Sequence, residues 1–461
     1  MARTVIRGAT VVSMDPGTGT LPRGDILVDG ERIAAVAPAI DAPDARAIDA
    51  AGMIAIPGLI NAHMHLWSTA LRGTAGNLTL VQYFRDVLAG VAVRYRPRDL
   101  HIGTLAGALE QIDGGVTTVL DWCHNSEGPE HTDAAIDGLA ASGIRGAFFH
   151  GTTKRKPAAG QPHYSEIPHP ADEIRRLRTG RLAADDARVT LGMAILGPHH
   201  SVWDVSEHDL RLARDHGLVA SAHMDAGLPR STPDGVHRMR DAGLISPAFN
   251  VVHGNDLTAD ELAILAGAGA SFTVTAECEM ALGFGFPATG RIVAAGGTPS
   301  IGVDSQTPVG ASLLSALRMT LQMQRAIDNG AVIPAGQPPA SLRLSTADAL
   351  AWATINGARA LGMEHRIGTL APGKQADIVL LRADDLNLLP VNDPVQAVVL
   401  HATPANVDTV MIAGRLAKQD GRLLGVDLPK VKADLLVSRD WLLTRSPCTQ
   451  VPRRASVRAV P

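Results

Sequence analysis

The segment Pro57-Gly58-Leu59-Ile60-Asn61-Ala62-His63-Met64-His65 runs apolar and then ends in two histidines one residue apart. A strand buried on both faces of a parallel sheet reads as a nearly continuous apolar stretch, and Ile54 to Ile60 has that character. Side chains at i and i+2 leave a strand on the same face. His63 and His65 can therefore point together at one ion from the strand's carboxyl end. Two neighbouring histidines also arise by coincidence or as core residues, so the rest of the chain has to decide.

Apolar strand-like runs recur after this one, each separated by a helix-like stretch: Val116–Trp122, Ile144–His150, Val189–Leu196, Leu218–His223, Asn250–His253, Ser271–Thr275 and Pro299–Val303. Strand and helix alternating through eight units predict an α/β fold, a parallel (β/α)8 TIM-type barrel over residues 57–366. Ser206-Glu207-His208-Asp209 and Thr258-Ala259-Asp260-Glu261 read as capping boxes that open two of its helices. The two ends differ in style. Residues 1–56 and 367–425 carry short alternating strands, with turns at Asp15-Pro16-Gly17, Val28-Asp29-Gly30, Pro372-Gly373 and Ala413-Gly414. They are expected to pair into one small β-sandwich domain. Residues 426–461 form the remainder, an amphipathic helix from Val431 to Leu443 and a tail with Pro452, Arg453, Arg454 and Pro461. A chain of 461 residues exceeds the usual reach of a single core, so either a barrel with additions or several domains is expected.

A net charge of -4 and a charged fraction of 19% give no electrostatic reason to propose nucleic acid or a membrane surface. No segment resembles a signal core or a membrane span. Cys123, Cys278 and Cys448 are odd in number and lack CxxC spacing, a pattern that suits a reducing cytoplasm. The expected partner is a small-molecule substrate, with the chain a homo-oligomer, either dimer or tetramer.

Catalytic groups of such barrels sit at the carboxyl ends of the strands. The first strand ends in His63 and His65, the fifth in His223, the sixth in His253 and the eighth in Asp304. Any one of these could be a satisfied core or capping residue, but all five on one rim is a poor match to chance. Three imidazoles and a carboxylate around an ion with an open position make up a hydrolytic zinc site. Nitrogen and oxygen ligands also accept iron, manganese and cobalt.

The HxH segment is joined by Leu71-Arg72-Gly73, Gly114-Gly115-Val116-Thr117-Thr118-Val119, Pro198-His199, His253-Gly254, Gly302-Val303-Asp304 and Gly368-Thr369-Leu370-Ala371-Pro372-Gly373-Lys374-Gln375-Ala376-Asp377. In these motifs the chain resembles the amidohydrolase superfamily, in its branch of cytosine, adenosylhomocysteine and guanine deaminases and triazine hydrolases. The resemblance implies that His63, His65, His223 and Asp304 bind a divalent metal. It implies too that His253 polarises the substrate beside it and that His199 contacts substrate. Asp304 could then take a proton from water and pass it to the leaving group. His253 could donate a hydrogen bond where charge develops.

Two departures from that pattern matter. Binuclear relatives carry a lysine at the end of the fourth strand, whereas this one ends Leu196-Gly197-Pro198-His199, so one metal ion is expected. Lys154, past the third strand, reads as a solvated loop residue. The deaminase branch also places a glutamate three residues after the fifth-strand histidine, where this chain has Ala226. Alanine cannot shuttle a proton. Its presence favours hydrolysis of an amide, urea or carbamate-like C–N bond.

The alternative is a deaminase or dehalogenase of an aromatic heterocycle, with Glu277 or Glu279 from past the seventh strand supplying the acid, and Asp225 a weaker candidate. An inactive binding protein on the same fold is a third class, opposed by the intact ligand set. His124 and Trp67 can line a substrate pocket or serve packing alone. A metal site has no need of Cys123 or Cys278 as nucleophile.

Overall fold

Eight parallel strands form the barrel that the alternating pattern predicts. They are Leu59–Met64, Val116–Ser126, Arg145–Thr152, Val189–Ile195, Ala220–Met224, Phe249–His253, Ser271–Val274 and Pro299–Ile301, each hydrogen-bonded to the next. The ring closes just past the eighth strand, where Asp304 bridges Met64 in parallel register. There the Asp304 N–H donates to the His63 carbonyl at 2.9 Å and the His65 N–H donates to the Asp304 carbonyl at 2.8 Å. The computed structural model describes residues 3–225 and 227–444. Ala226, Cys448 and the expected tail with Pro452, Arg453, Arg454 and Pro461 lie outside the described residues.

The strands are largely apolar because they are buried on both sides. Along Val116–Ser126, Leu120 and Trp122 join a cluster with Ile60, Ala147, Phe149 and Ala194 that reaches the helix Ile355–Ala360. The alternate residues Val119 and Cys123 join the main core that the surrounding helices share. Thr258 caps the helix Ala259–Gly267 as expected, with the Glu261 carboxylate returning to the Thr258 N–H at 2.8 Å. Ser206 does not act as a cap. Its helix starts earlier, at Trp203, and Ser206 lies buried inside it with its hydroxyl against that of Ser201. Asp209, the last residue of that expected box, instead accepts from the His169 N–H at 2.8 Å.

The two ends meet as expected, in one nine-stranded mixed sheet. Its central pairing sets Ile378–Arg382 antiparallel to Met53–Pro57, with Leu380 opposite Ala55. Thr4–Val12, Thr20–Asp29 and Arg32–Ala37 extend it on one side, and Val407–Ile412, Arg415–Gln419 and Arg422–Leu423 on the other. Arg46–Asp49 adds a parallel strand to Thr4–Val12. The chain passes from this sheet to the barrel at Gly58, where a Cβ would collide with Thr117. The C-terminal helix, Leu428–Leu443, packs on the barrel helix Pro97–Asp113. Arg94 donates to its Leu442 carbonyl at 3.0 Å.

Sheet and barrel are stapled by a buried ion pair. Arg145, at the start of the third barrel strand, grips Asp377 with Nη2 and Nε, at 3.0 and 3.2 Å. Asp377 also accepts from the Ala413 N–H at 2.7 Å. Removing one partner of such a pair strands the other charge, a cost of about 3–5 kcal/mol. Arg145→Met should lower stability by that amount in urea denaturation. Arg145→Met with Asp377→Leu should cost less than the two single changes summed.

Candidate metal centre

Four of the five rim residues converge. One ligand atom from each of His63, His65, His223 and Asp304 lies within 4.8 Å of the others, and all four residues are buried. The Nε2 atoms of His63 and His223 are 3.2 Å apart, and Asp304 Oδ1 lies 3.1 Å from His65 Nε2 and 3.5 Å from His63 Nε2. Ligands about 2.0–2.1 Å from a tetrahedral ion stand about 3.3–3.4 Å from one another, so these separations fit one divalent ion. The donor set fits as well. His65 Nδ1 lies 2.7 Å from the Trp122 carbonyl, which can only accept. That bond fixes the proton on Nδ1 and turns the Nε2 lone pair inward.

Strand geometry explains the convergence. His63 and His65 share a face by their i, i+2 spacing, and the closing bond to Asp304 brings the eighth strand's carboxylate beside them. Asp304 (φ 70°) and His253 (φ 72°) both occupy the left-handed region, which is uncommon for residues other than glycine, although Asn, Asp and His enter it more often than the rest, and which clusters at functional sites. Trp122 forms one wall, its ring 4.2 Å from that of His223 and 5.6 Å from that of His65.

The electrostatics suit metal ligation. Burial pushes the His63 imidazole down to about 3, against the opposing pull of Asp304. Burial likewise drives His223 well below its ordinary value, helped by the neighbouring His63 and by Lys154. Burial alone would raise the Asp304 carboxyl, but hydrogen bonds from His63 and His65 hold it well below the carboxylate range. Neutral imidazoles and an ionised carboxylate are the forms that bind metal.

His253 lies beside this cluster, its ring centroid 5.3 Å from that of His223. Burial would lower its pKa, but Glu279, Asp304 and Asp225 raise it. Glu279 is fully buried behind the ring, with Oε1 3.3 Å from His253 Nδ1. It also accepts from the Thr275 N–H at 2.8 Å and from Asn255 Nδ2 at 3.1 Å. Glu279 therefore orients His253 from behind and does not line the cavity. Glu277, partly buried, does not line it either.

The cavity above the cluster is walled by His65, His124, His223, His253 and Asp304 together with Leu80, Tyr83, Phe84, Leu88, Leu282 and Phe284. His124 is among its lining residues, but Trp67 stands behind it, donating from Nε1 to His124 Nδ1 at 3.3 Å. His199 is buried outside the lining. Its neighbour His200 takes the wall position, with Nε2 2.6 Å from Asp225 Oδ1. Lys154 corrects the sequence reading most sharply. It is buried and lines the cavity. Cys278 also reaches it, but burial and the Asp304 charge raise its thiol far above neutrality, as burial raises that of Cys123. Sequence reasoning missed Lys154, His200 and the apolar wall from Leu80 to Leu88. The doublet His199-His200 was the one visible signal.

A (β/α)8 barrel carrying this His–His–His–Asp cage at its carboxyl rim defines a metal-binding hydrolase. Residues 54–417 match the amidohydrolase family, and the chain belongs to it. A 5-methylthioadenosine/S-adenosylhomocysteine deaminase of Symbiobacterium thermophilum is 30% identical over 440 residues, covering 91% of this chain and 94% of that protein. A variant of the atrazine chlorohydrolase of Arthrobacter aurescens, solved with zinc and atraton, has the same fold. It gives a TM-score of 0.83 at 23% identity, over 95% of this chain and 100% of that one. A zinc-bound adenosine deaminase from Xanthomonas campestris gives 0.80 at 24% identity, over 96% and 98%. Among the described residues no helix is long and apolar enough to cross a membrane.

The contact between Glu279 and His253 yields a prediction. Glu279→Gln removes the charge that raises the imidazole, so in metal-free protein His253 should titrate at lower pH than in the wild type. Histidine NMR titration reads this directly, and an unchanged midpoint would contradict the assigned contact.

Proposed function

We propose that this protein is a metal-dependent hydrolase that cuts an amide, urea or carbamate-like C–N bond of a small molecule. The observation that carries the reading is the convergence of three imidazole nitrogens and one carboxylate oxygen on a single point. His63, His65, His223 and Asp304 would hold one divalent ion, with zinc favoured by the zinc-bound proteins of the same fold. When bound, such an ion supplies Lewis acidity and brings the pKa of a coordinated water to about 7.

The chain's own residues do the rest. Asp304 turns Oδ1 to the histidines, and Oδ2 is its remaining atom for taking a proton from water and returning it to the leaving nitrogen. His253, with its Nδ1–H held by Glu279, offers Nε2–H in its protonated form, which Glu279 favours, as the donor to an oxygen on which charge develops. The apolar wall excludes water and strengthens both interactions. In this proposal residues 57–366 carry the chemistry, residues 1–56 and 367–425 form a supporting β domain, and 426–461 are an appended helix and tail.

Ala226 supports an amide-type bond over a heterocycle, because a ring nitrogen needs a proton donor there. A second reading, a deaminase or dehalogenase of an aromatic heterocycle, is favoured by the deaminase relatives and by the protonatable Lys154 and His200 in the cavity wall. Two buried free cysteines support a reducing cytoplasm. Exposed Leu436 and Val437 on the C-terminal helix support a dimer or tetramer, whose mass light scattering would read.

A screen of zinc-loaded protein against amides, ureas, carbamates and nucleobases, reading amine or ammonia release, separates the two activities. Turnover of an amide-type compound without nucleobase deamination is the expected result, and the reverse favours the second reading. On whichever substrate is found, Asp304→Asn should keep the fold and lower kcat by about a hundredfold or more. Wild-type kcat in that variant would move the proton-transfer role elsewhere.

A further inference from the structure

Among the described residues Lys154 is a buried cation without a direct ion partner. Its exposure is 8%, and it lines the same cavity as His223, His253 and Asp304. Among the described residues its ammonium has no hydrogen bond and no ion pair. Its contact is the face of Phe84, with Nζ 4.9 Å from the ring centroid. A cation–π contact returns only part of what an ammonium loses on leaving water.

The carboxylates that could neutralise it are engaged elsewhere. Asp225 Oδ1 is 2.6 Å from His200 Nε2, and Asp304 Oδ1 faces His65 and His63. Among the described residues no other lysine or arginine lines the cavity, and much of the wall around it is apolar. Burial lowers the ammonium to about 8, with Asp225 and Asp304 pulling it back up. Lys154 stands two residues past the third barrel strand, on the rim where substrates of such barrels bind.

We infer that Lys154 docks an anionic group of the substrate, so that the cavity takes a small molecule carrying a carboxylate as well as the bond to be cut. A compact ammonium on a flexible stem suits a single carboxylate. The ligand supplies the direct ion partner that Lys154 lacks among the described residues, and a neutral analogue leaves a desolvated cation without one. That difference is the source of selectivity. The inference rests on the cavity's being the substrate site of the proposed hydrolase.

Its test reads binding and needs no turnover. Benzoate and benzamide differ in charge and hardly in shape, and calorimetry on the zinc-loaded protein compares them. Wild-type protein should bind benzoate about tenfold more tightly, the worth of one charge-assisted contact. Lys154→Met should abolish that preference and Lys154→Arg should keep most of it. Equal binding in the wild type overturns the inference. So does a preference that survives Lys154→Met, because the anion then sits on the metal.

A second measurement needs no variant. Acetylation of Lys154 in wild-type protein, followed by peptide mass, should be slowed by benzoate and not by benzamide, and equal rates would overturn the inference. Failure of the hydrolase reading looks different. Benzoate held through Lys154 in a protein that cuts no C–N bond overturns the activity and supports the anion site.

Discussion

The closure of the barrel at Asp304 is the constraint on which the rest depends. Its backbone completes the ring through bonds to His63 and His65, and its side chain meets the same two histidines. The proposed metal cage and the barrel closure are therefore built from one set of residues. A left-handed backbone at Asp304 is the strain that this double duty imposes. Neighbours hold it in place. Asn61 Oδ1 accepts from the Val303 N–H at 3.2 Å, and Gly302 packs so closely on the His63 backbone that a Cβ has no room.

A polar chain inside the barrel anchors the wall of the site. Trp122 Nε1 donates to Ser221, Ser221 to Asn250 Oδ1, and Asn250 to Thr273, whose hydroxyl meets that of Ser300. Each buried polar group in the chain is answered by the next, which keeps it from destabilising the core. The indole it orients packs on His223, and the Trp122 carbonyl fixes the tautomer of His65. Orientation of the candidate ligands His65 and His223 thus reaches back through four strands.

The eight strands were readable because burial on both faces leaves a largely apolar signature, and the rim residues because a polar residue ending such a run is costly without a partner. What stayed hidden depends on loops and on angles. Lys154 follows its strand in a stretch whose polarity looks like solvent, and only the packed fold buries it. His199 and His200 are adjacent, so the short helix Gly197–His200 decides which one faces the cavity. Glu279 sits in the helix Ala276–Leu282 and turns to His253 rather than across the mouth. Ser206 matched a capping pattern while the helix began one turn before it.

The central claim is that the cage of His63, His65, His223 and Asp304 holds a single divalent ion. Anomalous diffraction at the metal's absorption edge, on crystals of protein purified without chelator, tests it most directly. One peak about 2.0–2.2 Å from all three Nε2 atoms and Asp304 Oδ1 is the predicted result. Two peaks bridged within the barrel mouth, or a metal-loaded protein with density elsewhere and none in the cage, would contradict it.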